Sequence, residues 1–311
     1  MRRAALAIGL LGAALFLSSA HAQEGEYHRL LGTRVSMVRP KFFMRTEFGM
    51  GYVFPNAGAR VQVTEYPRPL SQVLEGYSNE LIDRSGFRVK AREEVEIDGN
   101  PGLFLHTAPK SGSEGLARWT AVFGNEQATV VIDASGAPGS EEALDVLYRK
   151  ALLGARWDPK LQYSPYEGLP FILAGRSRFK FAARYGTALT FTLGGKPTRE
   201  TPDDPILVVT TIPQQVPEEA RAEFCTQRIQ ASPVVKDLEL VASGEVEVDG
   251  IKGCEALARA MDKQSGRPMM VYEANLFEGS RYYNFNGLAG VRFRAEYVSE
   301  FARTARRIRR K

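Results

Sequence analysis

The chain has 311 residues, of which 44% are hydrophobic, 25% charged and 10% aromatic, a composition typical of folded globular proteins. Its formal net charge is +5 at pH 7, but six basic residues and no acid lie in the segment 303–311, so the rest of the mature chain is slightly acidic. Because a nucleic-acid-binding domain carries its basic stripe across the fold itself, this distribution argues against nucleic acid as a partner.

The first 22 residues have the three regions of a cleavable secretory signal. Arg2 and Arg3 make the start positive, residues 4–17 form an apolar run, and Ser18–Ala22 ends in the small-x-small pattern that signal peptidase recognises. The alternative, a permanent membrane anchor, would need about twenty apolar residues. A lipoprotein would need a cysteine at the cleavage site, but the first cysteine is Cys225. We therefore expect a periplasmic or secreted protein with no acyl anchor and no later transmembrane segment.

Residues 23–157 alternate strand patterns with two helix patterns. Pro69 begins an amphipathic helix that continues to Leu81, and Gly86 is placed to end it. A second helix is capped by Ser140 and closes this half. The strand patterns, judged by alternation and by the turn residues between them, are Thr33–Val38, Phe48–Phe54, Arg60–Glu65, Phe87–Ile97, Leu103–Thr107, Ala117–Phe123 and Ala128–Asp133.

Residues 171–311 follow the same order of elements. They are preceded by a segment, 158–170, whose three prolines and one glycine indicate a partly rigid linker. A helix pattern covers Pro217–Ile229, and a last helix is expected from Ala295 to Ile308. The strand patterns are Ser177–Phe181, Thr187–Thr192, Ile206–Thr211, Leu238–Val248, Cys254–Ala260, Met269–Leu276 and Arg281–Phe285.

The two halves share an internal repeat. The hexapeptide Glu94–Gly99 returns as Glu245–Gly250, differing only in one isoleucine-to-valine exchange. Other matches at the same offset are Gly102 with Gly253, Gly136 with Gly287, and the helix-like runs Glu141–Arg156 and Arg292–Arg307. We interpret this as duplication of one unit, the alternative being chance similarity of two α+β halves. Since strands joined by short turns pair antiparallel, we predict an α+β fold of two tandem antiparallel-sheet domains with packed helices, at 23–157 and 171–311.

The element order, together with the turn Ile97-Asp98-Gly99-x-x-Gly102 and its copy at Val248–Gly253, resembles the PsbP-like superfamily. The resemblance implies a tandem of α/β/α sandwiches that bind or stabilise partners and have no conserved catalytic apparatus. The photosystem role of that superfamily is not carried over, because no metal-retention residue of the family matches a position in this chain.

Cys225 and Cys254 are the two cysteines of the chain. In an oxidising compartment such a pair tends to form a disulfide, and a helix packed on a strand could bring the Cα atoms to about 5.5 Å. The alternative is two separate buried thiols. Neither residue lies in a CxxC motif or near a histidine in sequence, which argues against a catalytic thiol.

The motifs of known chemistry are missing from the sequence. After signal cleavage His28 and His106 are the remaining histidines, too few for a multi-histidine metal site, and His106 has the pattern of a strand residue with a structural role rather than of a catalytic base. No GxSxG, GxxxxGK[ST] or GxGxxG run occurs. The sequence therefore predicts no catalytic residue, no metal site and no cofactor.

The C-terminal segment is the candidate contact with a partner. If residues 295–310 are helical, four arginines lie on one stripe at i, i+3, i+4 and i+7: Arg303, Arg306, Arg307 and Arg310. The alternatives are an ordinary solvated face that complements the helix dipole and a contact with an acidic surface, such as anionic lipid or an acidic protein.

These observations predict an exported, non-enzymatic binding or scaffold protein of the cell envelope, whose protein or small-molecule partner the sequence does not name. The alternative is an envelope hydrolase that acts through an unrecognised acid–base site.

Overall fold

The computed structural model describes residues 25–110, 115–137 and 141–311. The predicted signal segment 1–22 and the predicted helix cap Ser140 lie outside the described residues. Within those ranges, no helix has the length and apolar character needed to cross a bilayer.

The first half is built around a seven-stranded antiparallel sheet with the strand order β3-β4-β5-β9-β8-β7-β6. A separate three-stranded sheet has the order β1-β2-β10. The α-helices of this half are α1 (Leu70–Leu74), α2 (Asn79–Arg84) and α3 (Glu141–Leu153), and 3₁₀ turns cover Pro55–Ala57 and Glu75–Tyr77. The strands are β1 (Tyr27–Arg29), β2 (Val35–Val38), β3 (Met44–Arg45), β4 (Gly51–Phe54), β5 (Ala59–Tyr66), β6 (Phe87–Ile97), β7 (Asn100–Pro109), β8 (Ala117–Gly124), β9 (Thr129–Gly136) and β10 (Arg156–Trp157).

The second half has another seven-stranded antiparallel sheet, with the order β12-β13-β14-β18-β17-β16-β15, and a two-stranded sheet of β11 and β19. Its α-helices are α4 (Arg221–Gln230) and α5 (Arg294–Ala305), each preceded by a 3₁₀ turn, Glu218–Ala220 and Val291–Phe293. The strands are β11 (Phe171–Leu173), β12 (Lys180–Tyr185), β13 (Ala188–Thr192), β14 (Ile206–Ile212), β15 (Val235–Val248), β16 (Ile251–Asp262), β17 (Pro268–Glu278), β18 (Arg281–Gly290) and β19 (Ile308–Arg310).

The two seven-stranded sheets have the same connectivity, and the repeated hexapeptide occupies the same turn in both. Asp98 and Gly99 have φ of 50° and 73°, and Asp249 and Gly250 have φ of 54° and 72°. Positive φ at both central residues is the mark of the tight hairpin turn that Asp-Gly favours. The predicted α+β class with two tandem antiparallel sheets is confirmed. The domain limits 23–157 and 171–311 remain a prediction.

Each sheet is covered by helices on both faces. In the first half α3 packs on the core that contains Trp119 and Tyr148, while α2 covers Leu103 and Leu105 on the opposite face. Strand alternation explains the arrangement, because neighbouring residues of β7 and β8 point to opposite faces. In the second half α5 and α4 take the corresponding places, with Phe301 in one core and Ile229 in the other. The layers are those of an α/β/α sandwich.

The two halves touch through a buried arginine. Arg184 in β12 is 6% exposed, and its guanidinium donates hydrogen bonds to the carbonyl oxygens of Pro165 (2.9 Å) and Glu167 (2.7 Å) in the linker. Its other Nη lies 3.0 Å from the sulfur of Met50 in the first half. Met50 and Phe48 belong to the core cluster of the second half, so the first half contributes to that core.

Two predicted helices were wrong in their extent. The helix from Pro69 to Leu81 is interrupted at Ser78, whose extended backbone and side-chain hydroxyl cap α2 instead. Leu81, predicted on the buried face, is 45% exposed. The last helix ends at Ala305 rather than at Ile308, because Ile308 is fully buried and its strand pairs with β11. Residues 171–173, far away in sequence, thus decide where the helix stops.

Candidate ligand-binding cleft

A cleft of about 430 Å³ lies in the first half, between the sheet and the layer formed by the 3₁₀ turn Glu75–Tyr77 and α2. Its floor consists of side chains from β5, β9, β8 and β7, and its roof comes from residues 76–87. The volume falls in the range of small-molecule sites. The lining of the cleft consists of Arg60, Gln62, Thr64, Gly76, Tyr77, Leu81, Ile82, Ser85, Phe87, Leu105, Thr107, Arg118, Thr120, Asp133, Ala134 and Ser135.

Two rows of polar side chains cross the floor. Arg60, Ser135 and Arg118 are direct neighbours on three adjacent strands. Beside them, Asp133 lies opposite Gln62 on one side and Thr120 on the other. Because antiparallel neighbours are about 5 Å apart, the backbones that carry the two arginines are about 10 Å apart, with Ser135 between them. This spacing leaves room for a small group held by both guanidiniums.

Both cleft arginines are exposed. Neither guanidinium lies within 4.0 Å of a carboxylate in the parts of the chain that the structure describes. Arg118 is held over the ring of Phe87, with 4.5 Å between Cζ and the ring centroid. A cation–π contact fixes the side chain without neutralising its charge. The positive charge of this row therefore remains available to an anion.

Asp133 lies on the floor of the cleft. Its side chain is exposed to solvent at the cleft opening, and protein atoms surround it on the other sides. One of its carboxylate oxygens accepts a hydrogen bond of 2.8 Å from the Thr120 hydroxyl. Burial raises the pKa of Asp133 above its ordinary value, although the Thr120 hydrogen bond and the charges of Arg118 and Arg60 partly oppose the rise. A carboxyl group with a raised pKa in a cleft is a typical feature of functional sites.

Ser135 provides a hydroxyl between the two arginines. Its Oγ is buried and has no hydrogen-bond partner among the described residues. An unsatisfied buried hydroxyl is unfavourable, and proteins retain few of them. A ligand atom placed between Arg60 and Arg118 would be in reach of this group.

The corresponding place in the second half is filled by protein. Asn284, which matches Asp133 at the repeat offset, lies opposite Thr210 and Asn275. Three asparagine amides there donate to the buried carboxylate of Glu273, at 3.1 Å from Asn275, 3.0 Å from Asn284 and 3.4 Å from Asn286. These groups satisfy one another under α4. The two copies of the fold therefore differ in this part of the sheet. The first copy has an open polar cleft there, and the second has a closed network of polar side chains.

A second cavity, of about 470 Å³, lies between α4 and the β15–β16 hairpin. Its lining combines Arg221 and Lys252 with the acids Glu218, Glu245, Glu247 and Glu255, so acidic groups outnumber basic ones there. We therefore take the cleft of the first half as the candidate site.

His106, the histidine considered as a possible base, lies on the other face of the sheet under α3. Its ring stacks on Trp119, with centroids 4.5 Å apart, and Nδ1 is 3.5 Å from the Asp145 carboxylate. Burial lowers the pKa of His106, and Nε2 is buried without a partner among the described residues. This environment is that of a residue with a structural role, because Nε2 does not face solvent, where a substrate would bind.

The predicted cysteine pair is brought together by α4 and β16. The Cα atoms of Cys225 and Cys254 are 6.4 Å apart, within the range that a disulfide spans, and the two sulfurs are adjacent. Their geometry is compatible with a disulfide.

The C-terminal arginines do not form the predicted stripe, because the helix ends before three of them. Each faces an acid: Arg303 and Arg307 face Glu300, Arg306 faces Glu255, and Arg310 faces Asp249. Their contact with a partner remains a prediction, but the charges are largely compensated within the chain.

The cleft residues were missed at the sequence level, although a signal for them exists. Arg60, Gln62 and Thr64 alternate along β5, as do Arg118 with Thr120 and Asp133 with Ser135 on their strands. Polar residues at every second position of a central strand lie on the same face of the sheet. When helices cover both faces of that sheet, such a row indicates a polar surface inside the protein. Among the described residues, no group of three or more metal-ligating side chains is found.

No protein-family model and no curated protein matches the chain. Among solved structures, cyanobacterial PsbP from Synechocystis sp. PCC 6803 is 11% identical over 49% of this chain and 99% of that chain, with a TM-score of 0.34. The T6SS immunity protein TplEi from Pseudomonas aeruginosa is 15% identical over 91% of this chain and 96% of that chain, with a TM-score of 0.35. The Tle4–Tli4 complex gives 11% identity, coverages of 92% and 97%, and a TM-score of 0.35. Similarities of this strength carry no argument about function.

Proposed function

We propose that this chain is an exported, non-enzymatic binding protein of the cell envelope and that the cleft of its first half holds a small anion with a carboxylate or phosphate group. The observation that carries the proposal is the difference between the two copies of the fold. The second copy closes its polar site with Glu273 and three asparagines, while in the first Arg60 and Arg118 line an open cleft and form no ion pair with any described residue.

The charges in the cleft favour an anion. Arg60 and Arg118 supply two positive charges, against the single carboxyl group of Asp133 in the cleft lining. Guanidinium groups bind carboxylate and phosphate through paired hydrogen bonds, and the intervening Ser135 hydroxyl can donate a further one. Thr120 orients the Asp133 carboxyl, which is positioned to accept a hydrogen bond from a hydroxyl or amine on the same ligand.

Export is supported by the N-terminal pattern of residues 1–22 and by the cysteine pair. A disulfide forms and persists in the periplasm or outside the cell, and is rare in the cytosol. The mature protein is therefore expected to meet its ligand in the cell envelope.

The test uses the mature protein with inorganic phosphate and citrate as anionic probes and glucose as a neutral one, followed by calorimetric titration. We expect binding of at least one anion and none of glucose. Replacing both Arg60→Gln and Arg118→Gln should weaken anion binding by at least about tenfold, because hydrogen bonds to charged groups contribute about 1.5–3 kcal/mol each. Arg88→Gln with Lys90→Gln, at exposed positions of the edge strand β6, removes the same charge and should leave the affinity unchanged. Equal binding by the wild type and the cleft variant, or no binding of either anion, would contradict the proposal.

The hydrolase alternative has one observation in its favour, the raised pKa of Asp133 in a cleft. Acid–base hydrolysis needs a second group, and the cleft lining contains no further carboxylate and no histidine within the described residues. Asp133→Asn separates the two functions. A binding protein should keep or improve its anion affinity, because a negative charge is removed. A hydrolase should show turnover in a screen of esters, peptides and glycans and should lose it in this variant.

A further inference from the structure

The segment that runs from the end of β2 into β3 presents two large apolar side chains to solvent. Phe42 is 68% exposed and Met44 is 55% exposed, whereas Phe43 between them is 3% exposed. Phe43 packs edge-on against Tyr148 of α3, with ring centroids 5.9 Å apart, so the segment is anchored at its centre. We call residues 39–45 the FM loop.

The backbone of the FM loop holds the exposed ring outward. Phe42 has φ of 71°, in the left-handed region that bulky side chains rarely adopt. Strain of this kind persists where the surroundings impose it, here the buried Pro40 and Phe43 on either side. The Phe42 ring also stacks on Phe54, with ring centroids 6.1 Å apart, so its direction is set by the loop backbone and by this contact.

Three cations surround the apolar pair. Arg39, Lys41 and Arg45 are exposed, and none lies within 4.0 Å of a carboxylate in the described ranges. Lys41 Nζ is 4.9 Å from the centroid of the Phe42 ring. Burial raises the pKa of Tyr52, and the charges of Arg45, its direct neighbour on the adjacent strand, and of Arg39 partly oppose that rise.

The C-terminal arginines offer a contrast. They were the residues predicted from the sequence to meet an acidic surface, but they face Glu300, Glu255 and Asp249. The cations of the FM loop have no such compensation in the described part of the chain. An uncompensated group of cations attracts an acidic surface more strongly than a compensated one.

We propose that the FM loop docks this protein on an anionic phospholipid surface, with Phe42 and Met44 at the boundary between headgroups and acyl chains and Arg39, Lys41 and Arg45 on the lipid phosphates. Charge complementarity and size favour this occupant over a protein. One exposed Phe and one exposed Met provide about 300 Å² of surface at most, while a stable protein interface needs about 800 Å² from each partner. Shallow insertion beside basic side chains is a known way of binding to a bilayer surface.

The experiment measures co-sedimentation of the mature protein with phosphatidylcholine vesicles that contain about one third phosphatidylglycerol, and with phosphatidylcholine vesicles alone. We expect binding to the anionic vesicles that weakens as salt is added. The variant Arg39→Gln, Lys41→Gln, Arg45→Gln should bind about a hundredfold more weakly, at about fivefold per basic residue near the surface. Phe42→Ser with Met44→Ser should lose the part of the binding that resists salt. Because all five side chains are exposed, the variants should keep the wild-type melting temperature.

Two controls carry the same charge change. Arg88→Gln, Lys90→Gln, Arg92→Gln on β6 tests for a general effect of net charge, and Arg303→Gln, Arg306→Gln, Arg310→Gln tests the C-terminal arginines. Both should bind like the wild type. The proposal is overturned if the wild type does not bind anionic vesicles, if the FM-loop variants bind as well as the wild type, or if only the C-terminal variant loses binding. Loop-dependent binding to polyglutamate without binding to vesicles would also overturn it, in favour of an acidic protein partner.

Discussion

Asp98 and Asp249 occupy the same turn position in the two halves and have a second task there. The carboxylate of Asp98 accepts a hydrogen bond from the backbone N–H of Trp157 (2.7 Å), and that of Asp249 accepts one from the backbone N–H of Arg310 (3.2 Å). In each half the repeated turn thus ties the last short strand to the large sheet. Asp is suited to both tasks, because it tolerates positive φ and offers acceptor oxygens.

Gly253 of the repeat is required by close packing of two strands. A Cβ at this position would overlap the carbonyl oxygen of Asn275 on β17. We expect Gly253→Ala to lower the free energy of unfolding by about 2 kcal/mol or more, because backbone atoms have to move. Gly244→Ala on the exposed strand β15 is the matched control, since a Cβ there meets no atom within 4 Å, and it should change stability by less than about 0.5 kcal/mol. Urea denaturation of the two variants measures the difference. Equal effects would show that the close approach of Gly253 to β17 does not require a glycine.

At the level of elements, the cysteine pair links α4 to β16 across 29 positions of sequence. We predict a disulfide there. Peptide mass analysis without reduction should recover the linked Cys225 and Cys254 peptides, and reduction should separate them. Cys225→Ser with Cys254→Ser should lower the free energy of unfolding by roughly 3 kcal/mol, because closing a loop of this length restricts the unfolded chain. Detection of two free thiols in protein prepared under oxidising conditions would contradict the prediction.

The polar network under α4 should make stability depend on pH. Burial raises the pKa of Glu273, which is 2% exposed, above its ordinary value, against the opposing effects of Asn275, Arg228 and the other asparagines. The folded state therefore binds this proton more tightly than the unfolded state does. Its contribution to stability is fully present below the ordinary glutamate pKa and is lost as the pH rises through the raised value.

Glu273→Gln provides the test of that dependence. The variant lacks the titrating group, so its free energy of unfolding should fall less than that of the wild type as the pH rises through this interval. Denaturation at a series of pH values measures the difference between the two proteins. Glu239→Gln, at an exposed position of β15, should follow the wild type. A difference that stays constant with pH would mean that Glu273 has an ordinary pKa.

At the level of the whole molecule, Arg184 holds the two halves and the linker together. Its guanidinium donates to three carbonyl oxygens, those of Pro165, Glu167 and Gly186, and lies against Gly32 of the first half. A Cβ at position 32 would collide with the guanidinium. Glu167 in turn accepts hydrogen bonds from Arg29 and from the backbone N–H of Gly32. The linker is therefore part of the interface and not a free connection.

Arg184→Leu should loosen this interface. It leaves three partly buried carbonyl oxygens without the Arg184 donor, which we expect to cost about 2–4 kcal/mol of stability. Limited proteolysis should then cleave between residues 158 and 170 faster than in the wild type. Arg176→Leu, at an exposed position of the same half, should be cleaved at the wild-type rate. If Arg184→Leu resists the protease as well as the wild type does, other contacts hold the halves together.

Local sequence patterns were sufficient to predict elements whose limits are set by residues close together in the chain. The limits of β6, Phe87–Ile97, were predicted correctly, because alternation and an Asp-Gly turn mark them within a few residues. The repeat predicted that the two halves share one strand order. The cysteines were placed on a helix and a strand that could meet, and they do meet.

Tertiary contacts decided what local pattern left open. Ile308 leaves the predicted helix because it pairs with Leu173 and fills the core, and Arg310 after it faces Asp249 in the turn between β15 and β16. The cleft joins Arg60, Arg118 and Asp133 from three strands, and only the register between those strands places them in adjacent rows. Hydrophobic periodicity determines which face of an element is buried. Contacts between residues far apart in sequence decide which elements meet and which polar side chains keep no partner. Local sequence patterns do not specify those contacts.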